Sequence, residues 1–271
     1  MKQYSILSFD VEEFDITLEY DQSIPMDEQM EIGKRGLDAL IPVWEKYQLP
    51  CTLYTTANYA QSFRSTMHAL AQTHEIASHT FYHSSFETAD LLSSRLALEA
   101  ICGKKVNGLR MPRMKQVPVQ DVLDAGYSYD SSIHPTWLPG RYNNFHLPRT
   151  AYREENLLRI PASVSPGIRL PLFWLAFKNY RYSLFLALCK QTLKKDGYLN
   201  LYFHPWEFTD ISPYQLPGYV KKISGPALVE RLERLVNDLS KISEFITTSQ
   251  LIELKDQFKN VRHISPIHPG N

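Results

Sequence analysis

The segment Tyr4-Ser5-Ile6-Leu7-Ser8-Phe9-Asp10-Val11-Glu12-Glu13 is the most informative stretch for the fold of this chain. An apolar, strand-like run leads directly into a group of acidic residues. Similar apolar runs recur along the chain and alternate with longer stretches of helical period, which is typical of repeated βα units around a mostly parallel sheet. We therefore predict an α/β fold, and a single (β/α) barrel of about seven strands fits the length of the chain.

The sequence pattern places short strands between longer helices. The predicted strands are Tyr4–Val11, Thr52–Thr56, Glu75–Ser78, Val106–Leu109, Leu157–Ile160, Tyr198–Phe203 and Glu244–Thr247. The predicted helices are Asp27–Tyr47, Tyr59–Thr73, Thr88–Ile101, Val117–Ala125, Tyr182–Lys194 and Pro226–Lys241. The last helix is the clearest, because its leucines fall on one face and its charges on the other.

Length and composition favour one large domain. The chain has 271 residues, 44% of them hydrophobic, which is enough for a sizeable core. No repeat or flexible linker divides it, so residues 1–271 are predicted to form a single catalytic domain. The proline-rich region at about 136–171 is expected to be an irregular insertion that shapes the substrate site.

Charge and cysteine usage limit the classes of partner and the compartment. Acidic and basic residues balance at 29 each, so the sequence indicates neither nucleic acid nor an anionic membrane as a partner. The three cysteines are widely spaced and are expected to be ordinary buried thiols. Neither a signal peptide nor a transmembrane segment is recognisable, and we therefore predict a cytoplasmic setting.

Polar residues gather where predicted strands end. In a parallel α/β barrel the carboxyl ends of the strands converge on one face, where catalytic groups collect. Residues far apart in the sequence are therefore expected to share one pocket. The four clusters are Asp10/Glu12/Glu13, His79/His83, Arg110 and His204/Glu207.

The first two clusters together suit a metal ion. His79 and His83 are four residues apart, a spacing compatible with two ligands on one turn, although such a pair alone is a weak signal. A carboxylate from the first strand would complete a set of two histidines and one acid, which is typical of an open catalytic site. Asp10 directly follows the apolar run and is expected to be buried, whereas Glu13 is expected to be a solvated loop residue.

Five short motifs, in this order and spacing, resemble the polysaccharide deacetylase family, also called the NodB-homology family. The resemblance extends over nearly the whole chain, as far as Phe245-Ile246-Thr247-Thr248. It is most similar to the branch found among bacterial surface and extracellular polysaccharide biosynthesis proteins. The motifs are Phe9-Asp10-Val11-Glu12, Ser78-His79-Thr80-Phe81-Tyr82-His83, Leu109-Arg110-Met111-Pro112, Tyr129-Asp130-Ser131-Ser132 and Tyr202-Phe203-His204-Pro205-Trp206-Glu207.

The resemblance implies that the (β/α) barrel is distorted. It also implies metal-dependent removal of an acetyl group from an N-acetylated sugar in a polysaccharide or its precursor, usually with zinc. It implies that Asp10 is the general base, that Arg110 pairs with this base, and that His204 protonates the departing amine. It implies that the metal ligands are His79, His83 and a carboxylate just after Asp10, for which Glu12 is the only well-placed candidate.

Three further residues are candidates for supporting roles. Asp130 is expected either to orient Arg110 or the substrate, or to form an ordinary turn. Trp206 and Glu207 are expected to pack under His204 and hold its ring. His134 either lines the pocket or is exposed.

The opening motif departs from the usual pattern of adjacent aspartates, because position 11 is Val11 and the next acid is Glu12. Glu12 points with Asp10 only where the backbone stays extended. This departure keeps two alternatives open. One is a metal-independent, allantoinase-like amidohydrolase, and the other is an inactive carbohydrate-binding barrel.

Overall fold

The computed structural model describes residues 2–254 and 262–264. The strands are β1 (Tyr4–Val11), β2 (Thr52–Thr55), β3 (Glu75–Ser78), β4 (Gly108–Leu109), β5 (Tyr129–Asp130), β6 (Trp137–Leu138), β7 (Tyr142–Asn143), β8 (Tyr152–Glu154), β9 (Leu157–Arg159), β10 (Tyr198–Phe203), β11 (Glu244–Phe245) and β12 (Arg262–Ile264). The helices are α1 (Met26–Tyr47), α2 (Ala57–Ser62), α3 (Arg64–Leu70), α4 (Ala89–Cys102), α5 (Val119–Asp124), α6 (Trp174–Asn179), α7 (Tyr182–Asp196), α8 (Gly218–Lys221), α9 (Pro226–Leu239) and α10 (Thr248–Glu253). Short 3₁₀ helices cover Ile16–Tyr20, Pro112–Met114 and Pro205–Phe208.

One large sheet organises the fold. Its strand order is β10-β1-β2-β3-β4-β5-β9-β8-β12, and β11 pairs with β1. All pairs in this sheet are parallel except β8 with β9. The predicted α/β class with a mostly parallel sheet is confirmed.

All seven predicted strands are present, and three more join them in the ten-stranded sheet. The additional strands, β5, β8 and β12, have only two or three residues each, which is too short for an alternating pattern to identify them. The predicted helix Tyr59–Thr73 is in fact two helices, α2 and α3, separated at Phe63. The region 136–171 contains two hairpins, β6–β7 and β8–β9. Its assignment as a substrate-site insertion in a single domain stays a prediction.

The register of the parallel strands places the predicted site residues side by side at the carboxyl edge of the sheet. Phe9 on β1 is paired with Phe203 on β10, so the next residues, Asp10 near the end of β1 and His204 just after β10, lie side by side. In the same way Ser78 on β3 is paired with Leu109 on β4, and His79 and Arg110 follow these. The predicted convergence of strand ends therefore follows from the pairing itself.

Helix α1 lies unusually close to the loops that carry the site. A Cβ atom at Gly36 would lie 1.9 Å from the carbonyl oxygen of Pro205, and one at Gly33 would lie 2.8 Å from that of Glu12. Only glycine permits this approach. Two glycines one helical turn apart thus let α1 pack closely against the segments that carry Glu12 and Pro205.

The three cysteines have the state that the sequence predicts. Cys51, Cys102 and Cys189 are buried free thiols. Within residues 2–254 and 262–264, no helix is both long and apolar enough to cross a membrane.

Candidate active site

A pocket opens at the carboxyl ends of β10, β1, β3 and β4. Its lining includes Asp10, Glu12, His79, His83 and His204. Arg110, which is fully buried, lies directly behind Asp10. The structure thus brings together the residues predicted as base, ligands, arginine and acid.

Glu12 and the two histidines form a compact cluster. Oε2 of Glu12 lies 3.0 Å from Nε2 of His79 and 3.1 Å from Nε2 of His83. One potential ligand atom from each of the three residues lies within 4.8 Å of the other two. Val11 is buried in the core, so Glu12 points into the pocket with Asp10, as strand alternation requires.

A hydrogen bond to the backbone fixes which ring nitrogen of His79 faces Glu12. Nδ1 of His79 lies 2.6 Å from the carbonyl oxygen of Arg110, and because a carbonyl only accepts, Nδ1 is the donor. In the neutral ring, Nε2 then carries a lone pair that points at the carboxylate of Glu12. Both atoms are buried and lack a hydrogen-bond partner among the described residues. Two acceptors at this distance need a cation between them, and a divalent metal fits the site.

Asp15, which the sequence analysis missed, holds the second histidine. Its Oδ1 lies 2.6 Å from Nδ1 of His83, and its Oδ2 accepts from Arg113 at 3.0 Å. A metal-binding histidine commonly donates its other ring nitrogen to a carboxylate, which fixes the ring. This rule predicts an acid near each histidine, but 68 residues separate Asp15 from His83, so the rule alone could not select it.

Burial and charge set the protonation of this cluster. Burial raises the pKa of Glu12, but the neighbouring His83, His204 and His79 outweigh burial and lower it. Burial also lowers the pKa of His83, but Glu12 and Asp15 raise it to about 9. The protein without metal therefore holds a proton on His83, and this proton has to leave when a cation binds.

Asp10 is held by a buried ion pair. Its Oδ1 accepts from Arg110 at 2.6 Å. Arg110 also donates to the hydroxyl and carbonyl oxygens of Ser131, and its guanidinium stacks 4.0 Å above the ring of Tyr54. The second oxygen of Asp10 is left for the pocket, where it lies 3.9 Å from Nε2 of His204.

His204 is fixed from two sides. Its Nδ1 lies 3.1 Å from Oε1 of Glu207, and its ring stacks on Trp206 with centroids 4.9 Å apart. Burial lowers its pKa, but Glu12, Glu207 and Asp10 outweigh burial and raise the pKa above 6.5. A histidine held in this way, with Nε2 facing the pocket, is suited to donate a proton.

The match to a known family lies in the first part of the sequence. Residues 12–127 match the family model for polysaccharide deacetylase. This similarity indicates a hydrolase of the polysaccharide deacetylase type.

Several solved structures have a fold similar to that of this chain. A Mycobacterium smegmatis protein assigned to the polysaccharide deacetylases has a TM-score of 0.66 at 17% identity, over 98% of this chain and 94% of that one. PuuE allantoinase has a TM-score of 0.63 at 13% identity, over 94% of this chain and 92% of that one. A probable polysaccharide deacetylase from Pseudomonas aeruginosa PAO1 has a TM-score of 0.62 at 16% identity, over 94% of this chain and 92% of that one. Among the curated proteins, none matches this sequence.

A buried lysine is a further feature of this site that the sequence analysis missed. Lys178 on α6 is buried, and its Nζ lies 3.2 Å from Oε2 of Glu207 and 3.0 Å from the carbonyl oxygen of Val220. Burial lowers the pKa of Lys178, although Glu207 opposes the shift. The carboxylate that holds His204 is therefore itself balanced by a cation.

Of the two alternatives for Asp130, the hydrogen bonds agree with the turn: the backbone N–H of Ser132 donates to Asp130, which also pairs with Arg159 at 2.5 Å, while Ser131 binds Arg110. Two other predicted environments need correction. Glu13 is buried rather than solvated, because Thr56 and Asn58 donate to its two oxygens. His134 is fully buried and binds the hydroxyl of Tyr142 at 3.0 Å.

Proposed function

We propose that this chain is a divalent-metal-dependent N-deacetylase that acts on an N-acetylated sugar of a polysaccharide or of its precursor. The observation that carries the proposal is the cluster of Glu12, His79 and His83, in which one potential ligand atom from each residue lies within 4.8 Å of the other two. The match of residues 12–127 to the family model supports the reaction class.

The donor set fits zinc better than a harder ion. Two imidazole nitrogens and one carboxylate oxygen are typical of catalytic zinc sites, which keep positions open for water and substrate. Glu12, His79 and His83 would hold the ion. A divalent ion bound there supplies a Lewis acid that polarises the amide carbonyl and acidifies water.

Asp10 is the proposed general base. Arg110 holds its Oδ1 at 2.6 Å and so turns the other oxygen toward the pocket. In this position Oδ2 takes a proton from the water that attacks the acetyl carbonyl carbon. General base catalysis of this kind contributes about 10²–10⁴-fold to the rate.

His204 is the proposed general acid. Glu207 accepts from its Nδ1 side, so Nε2 is the nitrogen that faces the pocket and donates. The amide nitrogen of the substrate receives this proton as the carbon–nitrogen bond breaks, and the products are acetate and a free amino sugar. Asp10 and His204 lie 3.9 Å apart, close enough to act on one reacting group.

The rest of the pocket suits a sugar. Its wall is largely apolar, with Trp174, Tyr142, Leu138 and Met114 among the lining residues. Aromatic rings with a polar tip can stack on the apolar face of a sugar and bind its hydroxyl groups. We propose that this wall holds the sugar ring while the acetyl group faces Glu12 and the histidines.

Metal content and acetate release test the proposal together. The purified protein is analysed for metals, stripped with a chelator and reloaded, and each form is assayed on N-acetylglucosamine oligomers. We expect near-stoichiometric zinc or another divalent ion, activity that follows loading, and loss of both in His79→Ala and Glu12→Ala. His68→Ala is the matched control, because His68 lies on α3 and binds the carbonyl oxygen of Ile101 outside the site. Wild-type protein that binds no supplied divalent ion would refute the proposal.

A second candidate has one observation in its favour, the similarity of the fold to PuuE allantoinase. It would be a metal-independent amidohydrolase in which a proton on His83 takes the place of the ion. Hydrolysis of allantoin by the chelated protein, without acetate release from sugars, would favour it. Sugar binding without hydrolysis under any metal condition would instead favour an inactive carbohydrate-binding protein.

A further inference from the structure

The two carboxylate oxygens of Glu12 have different surroundings. Oε2 faces the imidazoles of His79 and His83 and has no hydrogen-bond partner among the described residues. Oε1 accepts a hydrogen bond from the indole Nε1 of Trp206 at 3.1 Å. One oxygen is therefore free for a metal, while the other is held by a neutral donor.

Trp206 is itself held in one orientation. It is buried in the 3₁₀ helix Pro205–Phe208, against the rings of Phe14 and Trp174 at centroid distances of 5.3 and 5.5 Å. The same 3₁₀ helix lies so close to α1 that only glycine fits at position 36. A ring enclosed in this way cannot turn its N–H group elsewhere without disturbing the core.

A glutamate ligand needs such a donor. Its side chain has one more rotatable bond than that of aspartate, so more freedom is lost when it is held in one geometry. Groups that bind the outer oxygen of a ligating carboxylate orient it and contribute to metal affinity. Glu12 follows Val11 and lies two residues after Asp10, so its longer side chain has to be directed to the histidines.

We propose that Trp206 is a positioning residue for the metal, because its indole N–H fixes Glu12 as a ligand through Oε2 alone. The inference rests on the proposed metal site and adds to it the residue that orients the glutamate ligand toward the metal. Because the ring of Trp206 also stacks on His204, one side chain positions both the metal ligand and the proton donor.

The test is the affinity of the stripped protein for Zn²⁺, measured by competition with a chelating dye. Trp206→Phe keeps an aromatic ring beneath His204 and removes the N–H donor together with part of the ring volume, a loss of volume that the control below matches. We expect its zinc affinity to fall about 10- to 100-fold. The matched control is Trp44→Phe, because Trp44 is a buried tryptophan whose Nε1 has no hydrogen-bond partner among the described residues. We expect this control to bind zinc as wild type does.

A second variant keeps the inference testable if Trp206→Phe does not fold. Glu12→Asp retains the carboxylate but is too short to reach the indole and the histidines together, and we expect a similar loss of zinc affinity. Wild-type affinity in folded Trp206→Phe, or in Glu12→Asp, would overturn this inference while leaving the proposed metal site intact. Absence of zinc binding in the wild-type protein would instead refute the proposed function.

Discussion

Oδ1 of Asp15 lies 2.6 Å from Nδ1 of His83, and Asp15 is 1% exposed. This carboxylate leaves Nε2 of His83 as the nitrogen that faces Glu12. We predict that Asp15→Ala weakens zinc binding by about 10- to 100-fold, because the ring of His83 loses the group that orients it. Asp15→Asn keeps an oxygen acceptor and should lose less. Isothermal titration calorimetry on the stripped variants measures both, and equal affinity in Asp15→Ala and wild type would contradict the prediction.

Removing the proposed base or the proposed acid should slow the reaction without changing metal binding. Asp10→Asn and His204→Gln each remove one proton-transfer group and leave Glu12, His79 and His83 in place. We predict that each variant lowers kcat by about 10²–10⁴-fold. Zinc content should stay at the wild-type level. Metal analysis and acetate release from the same preparation test this, and a variant that loses its zinc would show that its residue has another role.

The buried pair of Lys178 and Glu207 should matter for stability. Lys178→Met leaves the carboxylate of Glu207 buried without its cation, and we predict a loss of about 3–5 kcal/mol in the free energy of unfolding. Adding Glu207→Gln should restore most of this loss, because no unpaired charge then remains. Urea denaturation of the single and double variants measures the effect. In the exposed pair of Lys241 and Asp238, Lys241→Met should cost less than about 1 kcal/mol.

His134 should make the fold sensitive to acid. Burial, and secondarily the charge of Arg110, lower its pKa from 6.5 to about 3. Between these values the unfolded chain binds a proton that the folded chain does not, so stability falls as the pH falls below 6.5. For this group alone the loss between pH 7 and pH 5 is about 2 kcal/mol.

His134→Gln cannot titrate but can still bind the hydroxyl of Tyr142. Denaturation curves at both pH values should therefore show a loss in this variant that is smaller than the wild-type loss by about 2 kcal/mol. Equal losses in the two proteins would show that His134 is protonated in the folded state.

The strands that carry the site were predictable because their apolar runs are long enough to show a pattern. Tyr4–Val11 and Tyr198–Phe203 have the predicted bounds; Asp10 lies near the end of the first, and His204 directly follows the second. The strands β5, β8 and β12 were not predicted, because two or three residues show no periodicity. Glu13 was misjudged because the partners of its carboxylate, Thr56 and Asn58, lie more than 40 positions away.

The sequence by itself determined the α/β class and the strand ends that carry the polar residues, because hydrophobic periodicity and local spacing are properties of neighbouring residues. The choice of Glu12, His79 and His83 as a candidate metal set came from the resemblance of the sequence motifs to a known family. The tertiary structure decided which distant side chains complete the site. The hydrogen bond from Trp206 to Glu12 spans 194 positions and that from His83 to Asp15 spans 68. Such contacts depend on strand register and on the close approach of α1, which no local pattern encodes.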